Sequence, residues 1–262
     1  AAFLLTCSLM LGGCGVKKEK EADSELPKIV IGMDYFEPYS YQASDGEYKG
    51  IDVELAKEAF RRLGYRPKFE NIVWEDKDEL LADGTVDCLW SSYSMNGRED
   101  KYQWAGPYLY SRQMVVVKNE SEIQTLSDLK GKRIAVQATT KAEDLFLHNI
   151  KSDLPQMQQV NCFSTTNEIY AALRKSYVDA IAGHEAMLGS LVKEGKDAYR
   201  MLDESIYKSE LGVAFKKGTH EEVAADLTET LKKLQREGIT EKIVTKYGLD
   251  ADEILPEGEQ NE

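Results

Sequence analysis

From Lys28 onward the chain alternates two hydrophobic periods. Lys28–Asp34 (KIVIGMD) is a short apolar run with β-branched residues, the pattern of a buried strand. Helical spacing follows, with Ile51, Leu55, Ala59 and Leu63 sharing one face of a helix over Asp52–Leu63. Asp52 is the expected N-cap, Arg61 and Arg62 complement the C-terminal end of the helix dipole, and Gly64 suits the residue just past the helix. Strand patterns return at Lys68–Trp74, Val86–Ser92 and Gln113–Lys118, with a short helix at Asp78–Ala82. A second alternating series opens with a strand at Arg133–Ala138. Thr140-Lys141-Ala142-Glu143 and Thr165-Thr166-Asn167-Glu168 have capping-box spacing, ahead of helices through His148 and over Ile169–Lys175. A strand at Val178–Ala182 and a helix near Glu185–Lys193 complete that series. Glu221–Glu237 places Val223, Leu227, Leu231 and Leu234 on one face and ends at Gly238, and Ile239–Tyr247 is the last helix, ending at Gly248. Strands alternating with helices in this way predict an α/β fold with largely parallel sheets covered on both faces.

The start of the chain differs from the rest. Ala1–Leu11 (AAFLLTCSLML) is apolar and uncharged. It is shorter than the roughly 20 apolar residues a spanning helix needs. It fits the apolar part of a secretory signal, without the usual basic start. Leu11-Gly12-Gly13-Cys14 is similar to the lipobox of bacterial lipoproteins, in which the cysteine is diacylated at the new N-terminus. The alternative is an ordinary signal peptide in which Cys14 falls by chance. Gly15–Leu26 is charged and nearly free of apolar residues, as expected of a flexible tether.

About 250 residues follow Cys14, more than a single core usually supports, so two lobes are expected. The net charge of −13 lies wholly after Cys14 and argues against nucleic acid, which needs a basic face. Cys88 and Cys162 sit in apolar strand-like runs and read as buried free thiols. With three His, no metal-ligand spacing, no Gly-rich phosphate loop and no Gly-x-Ser-x-Gly elbow, neither a metal nor a cofactor is expected.

Several segments carry a family resemblance. They are Gly32-Met33-Asp34 with Phe36-Glu37-Pro38-Tyr39, then Gly50 to Ala56 (GIDVELA), and then Asp87 through Arg98. Trp104-Ala105-Gly106-Pro107-Tyr108, Leu129-Lys130-Gly131-Lys132 and Val178-Asp179-Ala180 follow. Each piece is weak alone, but their order and spacing resemble the extracellular solute-binding proteins of polar amino-acid ABC importers, family 3, from about Lys28 to Gly248. The resemblance implies a two-lobed periplasmic-binding-protein-like fold (type II) with the ligand in the interlobe cleft. It places lobe one at residues 27–111 and 208–254, lobe two at 112–207, and a frayed tail at 255–262. The chain is expected to cross between lobes near Ser111–Met114 and Ser205–Leu211.

The same resemblance implies a site. Arg98 matches the arginine that grips a ligand carboxylate, for which its planar guanidinium is suited, although Gly97-Arg98-Glu99-Asp100 also reads as a charged surface turn. Thr140 is implied as a hydroxyl and backbone donor from lobe two, a role that can coexist with helix capping. Phe36 and Trp74 match positions that pack on the ligand, with core packing as the other reading. Ser91 and Tyr93 alternate onto one strand face, and Asp34, Gln137, His184 and Glu185 complete the implied set. This chain departs from the family at three places. Tyr93 stands where Ser or Thr is usual, and Thr139-Thr140-Lys141 where Gly-Thr-Thr or Gly-Ser-Ser is usual. His184 stands where an aspartate usually meets the ligand ammonium, so Glu185, Asp34 or Glu37 takes over or the ligand lacks that group, with a plain loop or core histidine as the other reading.

By resemblance, the protein is a lipid-anchored monomer on the outer face of the cell membrane. It captures an amino-acid-like solute by hinge closure, without covalent chemistry, and delivers it to the membrane permease of an ABC importer. Two other functions stay open. One is a dehydratase-like enzyme using His184 and Glu185 as an acid–base pair, and the other is a ligand sensor for a signalling partner.

Overall fold

A computed structural model describes residues 26–148, 150 and 153–256. The apolar segment before Cys14, Cys14 itself and nearly all of the expected tether lie outside the described residues. Among those described, no helix is long and apolar enough to cross a membrane.

The strands in chain order are β1 (Lys28–Met33), the small hairpin β2 (Tyr41–Gln42) and β3 (Tyr48–Lys49), β4 (Arg66–Asn71), β5 (Cys88–Ser94), β6 (Tyr102–Lys118), β7 (Arg133–Gln137), β8 (Gln159–Phe163), β9 (Ala180–His184), β10 (Tyr199–Met201) and β11 (Tyr207–Lys216). Apart from the hairpin, they form a nine-stranded sheet running β4-β1-β5-β11-β6-β9-β7-β8, with β10 also on β6. Each end is parallel: β1 pairs with β4 and β5, and β7 with β8 and β9. The middle is antiparallel, which corrects the largely parallel expectation. β6 and β11 run through both lobes, from Lys216 opposite Tyr102 to Tyr207 opposite Gln113. Gln113 also faces His184 of β9.

The 17 residues of β6 explain how one strand serves two cores. Met114 and Val116 enter one hydrophobic cluster, while Val115 and Val117 enter another on the opposite face. Its earlier half, Tyr102–Arg112, contains Gly106-Pro107 and mixed burial, so the apolar pattern exposes only the second half as a strand.

The helix Ile51–Arg62 is capped by Gly50, not by Asp52. At Gly50 φ is +121°, and a Cβ there would stand 2.2 Å from Tyr39 O, so only glycine fits. Asp52 is instead fully buried, accepting hydrogen bonds from Ser92 N (2.6 Å) and the Tyr108 hydroxyl (2.8 Å). Burial pushes its carboxyl up to about 7. The helix Glu221–Arg236 buries Leu227, Leu231 and Leu234 and packs on β6 and on Ile51–Arg62. This returns the chain to the lobe that contains β1.

Two local expectations split. The Thr165–Glu168 capping box forms as its spacing predicts. At Thr140 it does not: the Thr140 hydroxyl donates to Gln137 O at 2.7 Å, the Glu143 carboxylate accepts from Thr139 N, and the helix spans only Lys141–Phe146. Cys88 is buried as expected, but Cys162 is exposed, because β8 is the outer strand of the sheet.

Candidate functional site

Where β1, β5, β7 and β9 end, the two lobes line a small, partly open cavity of about 20 Å³. In sheets of parallel strands, ligands characteristically meet the carboxyl ends. Asp34 and Phe36 follow β1, Ser91–Ser94 close β5, Gln137 ends β7 with Thr140 and Lys141 just beyond it, and His184 ends β9. Trp74 and Arg98 arrive from connecting segments. The cavity thus brings together the residues singled out from sequence except Glu37 and Glu185, which line a separate groove. The Glu185 carboxylate turns away to accept two hydrogen bonds from Arg112, at 2.7 and 2.5 Å.

One wall is aromatic. Trp74 and Tyr93 meet edge to face with ring centroids 5.0 Å apart, and Tyr93 continues into Tyr102 (5.5 Å) and Trp104 (5.4 Å). Arg98 lies against the Tyr93 ring at 5.1 Å, and only a tenth of its side chain is exposed. It donates to Ser94 O at 3.1 Å and to Asp144 Oδ2 at 2.6 Å. The guanidinium is therefore nearly buried at the cavity edge and ion-paired with a carboxylate of its own chain.

His184 is buried between the rings of Phe36 (5.5 Å) and Tyr39 (6.4 Å). Burial, assisted by the charge of Arg98, pulls its imidazole down to about 3, so it is neutral across the physiological range. Its Nδ1 lies 2.9 Å from the Ser111 hydroxyl. Asp34 is the only carboxylate lining the cavity among the described residues. Burial raises its pKa, against hydrogen bonds from Gln137 Nε2 and Tyr35 N.

Polar contacts cross the cleft at several points. Lys77 donates to Thr139 Oγ1 (2.8 Å), Lys141 to Asn96 O (2.7 Å) and Ser164 to Glu75 (2.6 Å), alongside the Arg98–Asp144 and Gln137–Asp34 pairs. Thr139 has φ +58°, a left-handed conformation that favours glycine, at the position where the family's glycine is usual.

The sequence reading missed Lys77, Lys141 and Asp144. A signal was present. Both lysines are the first residue of their helices, where a positive charge opposes the dipole. A locally unfavourable choice of this kind often marks a functional position. Among the described residues no cluster of three or more His, Cys, Asp or Glu could hold a metal ion.

Known proteins resemble this chain in sequence and fold. The L-cystine-binding protein TcyJ of Escherichia coli (strain K12) is 26% identical over 223 residues, covering 84% of this chain and 82% of the relative. A solved substrate-binding protein of an amino acid ABC transporter has a TM-score of 0.75 at 27% identity, covering 84% of this chain and 98% of the other. An ABC uptake transporter substrate-binding protein from Streptococcus pneumoniae, solved with bound histidine, has a TM-score of 0.76 at 25% identity, covering 90% and 98%. Residues 29–250 match the family model throughout, and the chain belongs to the bacterial extracellular solute-binding proteins, family 3.

Proposed function

We propose that this protein captures an amino-acid-like solute in the interlobe cavity, with the solute's carboxylate on Arg98, and presents it to the permease of an ABC importer as a monomer. The observation that carries this reading is the Arg98 guanidinium, nearly buried at the cavity edge and directed at a carboxylate from the opposite lobe. A solute carboxylate can take that place, bridge both lobes and favour the closed state. The body of the solute packs against Phe36 and Trp74, and neutral His184 offers a ring nitrogen in place of a charge.

The lobes divide at the crossing strands, with residues 27–111 and 208–254 in one and 112–207 in the other. Cys14 carries the lipid anchor. Two acyl chains give the stable membrane attachment that one chain does not.

A thermal-shift screen of amino acids followed by calorimetry tests the reading. A solute at 100 times its Kd adds about 2.7 kcal/mol of stability. Arg98→Ala is expected to weaken binding by roughly 2–5 kcal/mol. Unchanged affinity in that variant refutes the carboxylate clamp.

A further inference from the structure

The carboxylate on Arg98 comes from the other lobe. Asp144 belongs to the short helix Lys141–Phe146 that follows β7, and its Oδ2 accepts from Arg98 Nη2 at 2.6 Å. Arg98 Nη1 donates to Ser94 O, and the Tyr93 ring lies against the guanidinium. A second cation stands beside Asp144. Lys141 Nζ, one turn earlier on the same helix, is 3.7 Å from Asp144 Oδ2 and donates to Asn96 O. Asn96 and Arg98 both lie in the segment that joins β5 to β6. The start of one lobe-two helix therefore grips one lobe-one segment with two side chains.

A solute cannot reach Arg98 while this grip holds. The cavity of about 20 Å³ has room for on the order of one water molecule, not for an amino acid. Admitting a solute parts the lobes, and parting them separates Arg98 from Asp144. On reclosure two carboxylates meet one guanidinium. Like charges sharing a site disfavour each other, so one of the two has to give way. Asp144 is the one with another cation at hand, because Lys141 is already beside it and travels with the same helix.

Resting on the reading that the solute's carboxylate binds Arg98, we propose that Asp144 is an internal competitor for that arginine. Asp144 stands in the solute's place, ties lobe two to lobe one, and passes to Lys141 when a solute carboxylate arrives. It sets the affinity of the site, because each solute binds more weakly by the strength of the contact it displaces. A solute with no carboxylate could displace Asp144 only by leaving Arg98 buried without an anion, which is costly. The same aspartate thereby raises the discrimination against such solutes.

The test is calorimetry on the full chain with the standard L-amino acids and L-cystine as probes. The proteins are the wild type, the near-isosteric Asp144→Asn, Arg98→Ala and a control, Glu99→Gln. Glu99 is a nearby carboxylate that accepts from Gly97 N and acts on Lys141 through its charge. Asp144→Asn is expected to tighten every probe that binds by roughly tenfold or more, the size of one charge-assisted hydrogen bond. Glu99→Gln is expected to stay within about twofold of the wild type, as removal of a surface charge without that bond should. Thermal melts confirm that each variant is folded. Asp144→Asn binding no more tightly than the wild type means that Asp144 does not compete for Arg98, and overturns the proposal. Equal tightening in Glu99→Gln reduces the effect to general charge and overturns it too. If Arg98→Ala weakens binding while Asp144→Asn also weakens it, the carboxylate clamp stands and only the competitor falls. If Arg98→Ala leaves affinity intact, the clamp falls and the competitor falls with it. If no probe binds either the wild type or Asp144→Asn, the amino-acid reading beneath both falls.

Discussion

On the β1–β5 side the cavity has an aromatic wall of Phe36, Trp74 and Tyr93 beside the polar Asp34, Arg98 and the end of β5, and on the β7–β9 side it is walled by Gln137, Thr140, Lys141 and His184. Trp74 and Tyr93 belong to a hydrophobic cluster that continues through Tyr102 into Ala214, and Phe36 to the neighbouring one. The rings of the first cluster lock one another edge to face, so its shape is set before any solute arrives. The second wall consists of strand ends and a helix start, with Thr139 held in a left-handed turn. Its groups are hydrogen-bond donors and acceptors whose partners now include the first lobe itself. The contrast sets the packed rings of Trp74 and Tyr93, which fix shape, against the polar contacts of the second wall.

The contrast breaks first at Trp74. Trp74→Ala opens a cavity in a packed cluster and should cost about 3–5 kcal/mol of unfolding free energy. Gln137→Ala, on the opposite wall, should cost about 1 kcal/mol, the net value of ordinary hydrogen bonds. Urea unfolding measures both, and equal losses would erase the distinction between the walls.

A second effect lies in pH. Behind the aromatic wall, Asp52 has a folded pKa of about 7 against an ordinary 3.8. Its contribution is full below 3.8 and is lost as pH rises through about 7. On the polar wall, His184 has a folded pKa of about 3 against 6.5, so the stability it contributes is present above 6.5 and is lost as pH falls towards 3. The two slopes oppose each other in the wild type. Unfolding free energies from about pH 4 to 8 should separate them. Asp52→Asn should gain on the order of 2–4 kcal/mol at alkaline relative to acid pH, and His184→Gln should gain at acid pH instead. Parallel curves for all three proteins would reject both assignments.

The smallest effect concerns the amino end of the solute. His184→Asp puts a carboxylate where relatives in this family usually have one. It should tighten binding of a free α-amino acid about tenfold relative to its N-acetyl form, close to 1.4 kcal/mol. No change in that ratio would place the ammonium elsewhere, with Asp34 the nearest carboxylate on the cavity wall.

Much of this was legible in the chain because strand and helix periods are strong over segments such as Cys88–Ser94 and Glu221–Arg236. The first half of β6 was not, because Gly106-Pro107 interrupts its alternation and the strand is shared between two lobes. Asp52 looked like a helix cap by position, yet the actual cap, Gly50, is chosen by the approach of Tyr39 O, a contact from outside the helix. Arg98 and His184 were singled out by motif position, and both line the cavity. Lys77 and Lys141 were hidden because an exposed lysine and a buried one look alike in sequence, and only the packing of two lobes buries them. Cys162 was misjudged because an apolar strand pattern does not reveal which strand stands at the edge of the sheet.

That exposed thiol has a practical consequence. Cys162 sits two residues before Ser164, whose hydroxyl reaches Glu75 on the far side of the cleft. Cys88, the other cysteine among the described residues, is sealed in the core. A fluorophore attached at Cys162 would ride on the rim that opens and shuts, and its emission would read out solute concentration without any further reagent. Partial burial and the neighbouring Glu143 push this thiol up to about 11. Thiolate is the reactive form, so attachment would be slow at neutral pH and would quicken in mildly alkaline buffer.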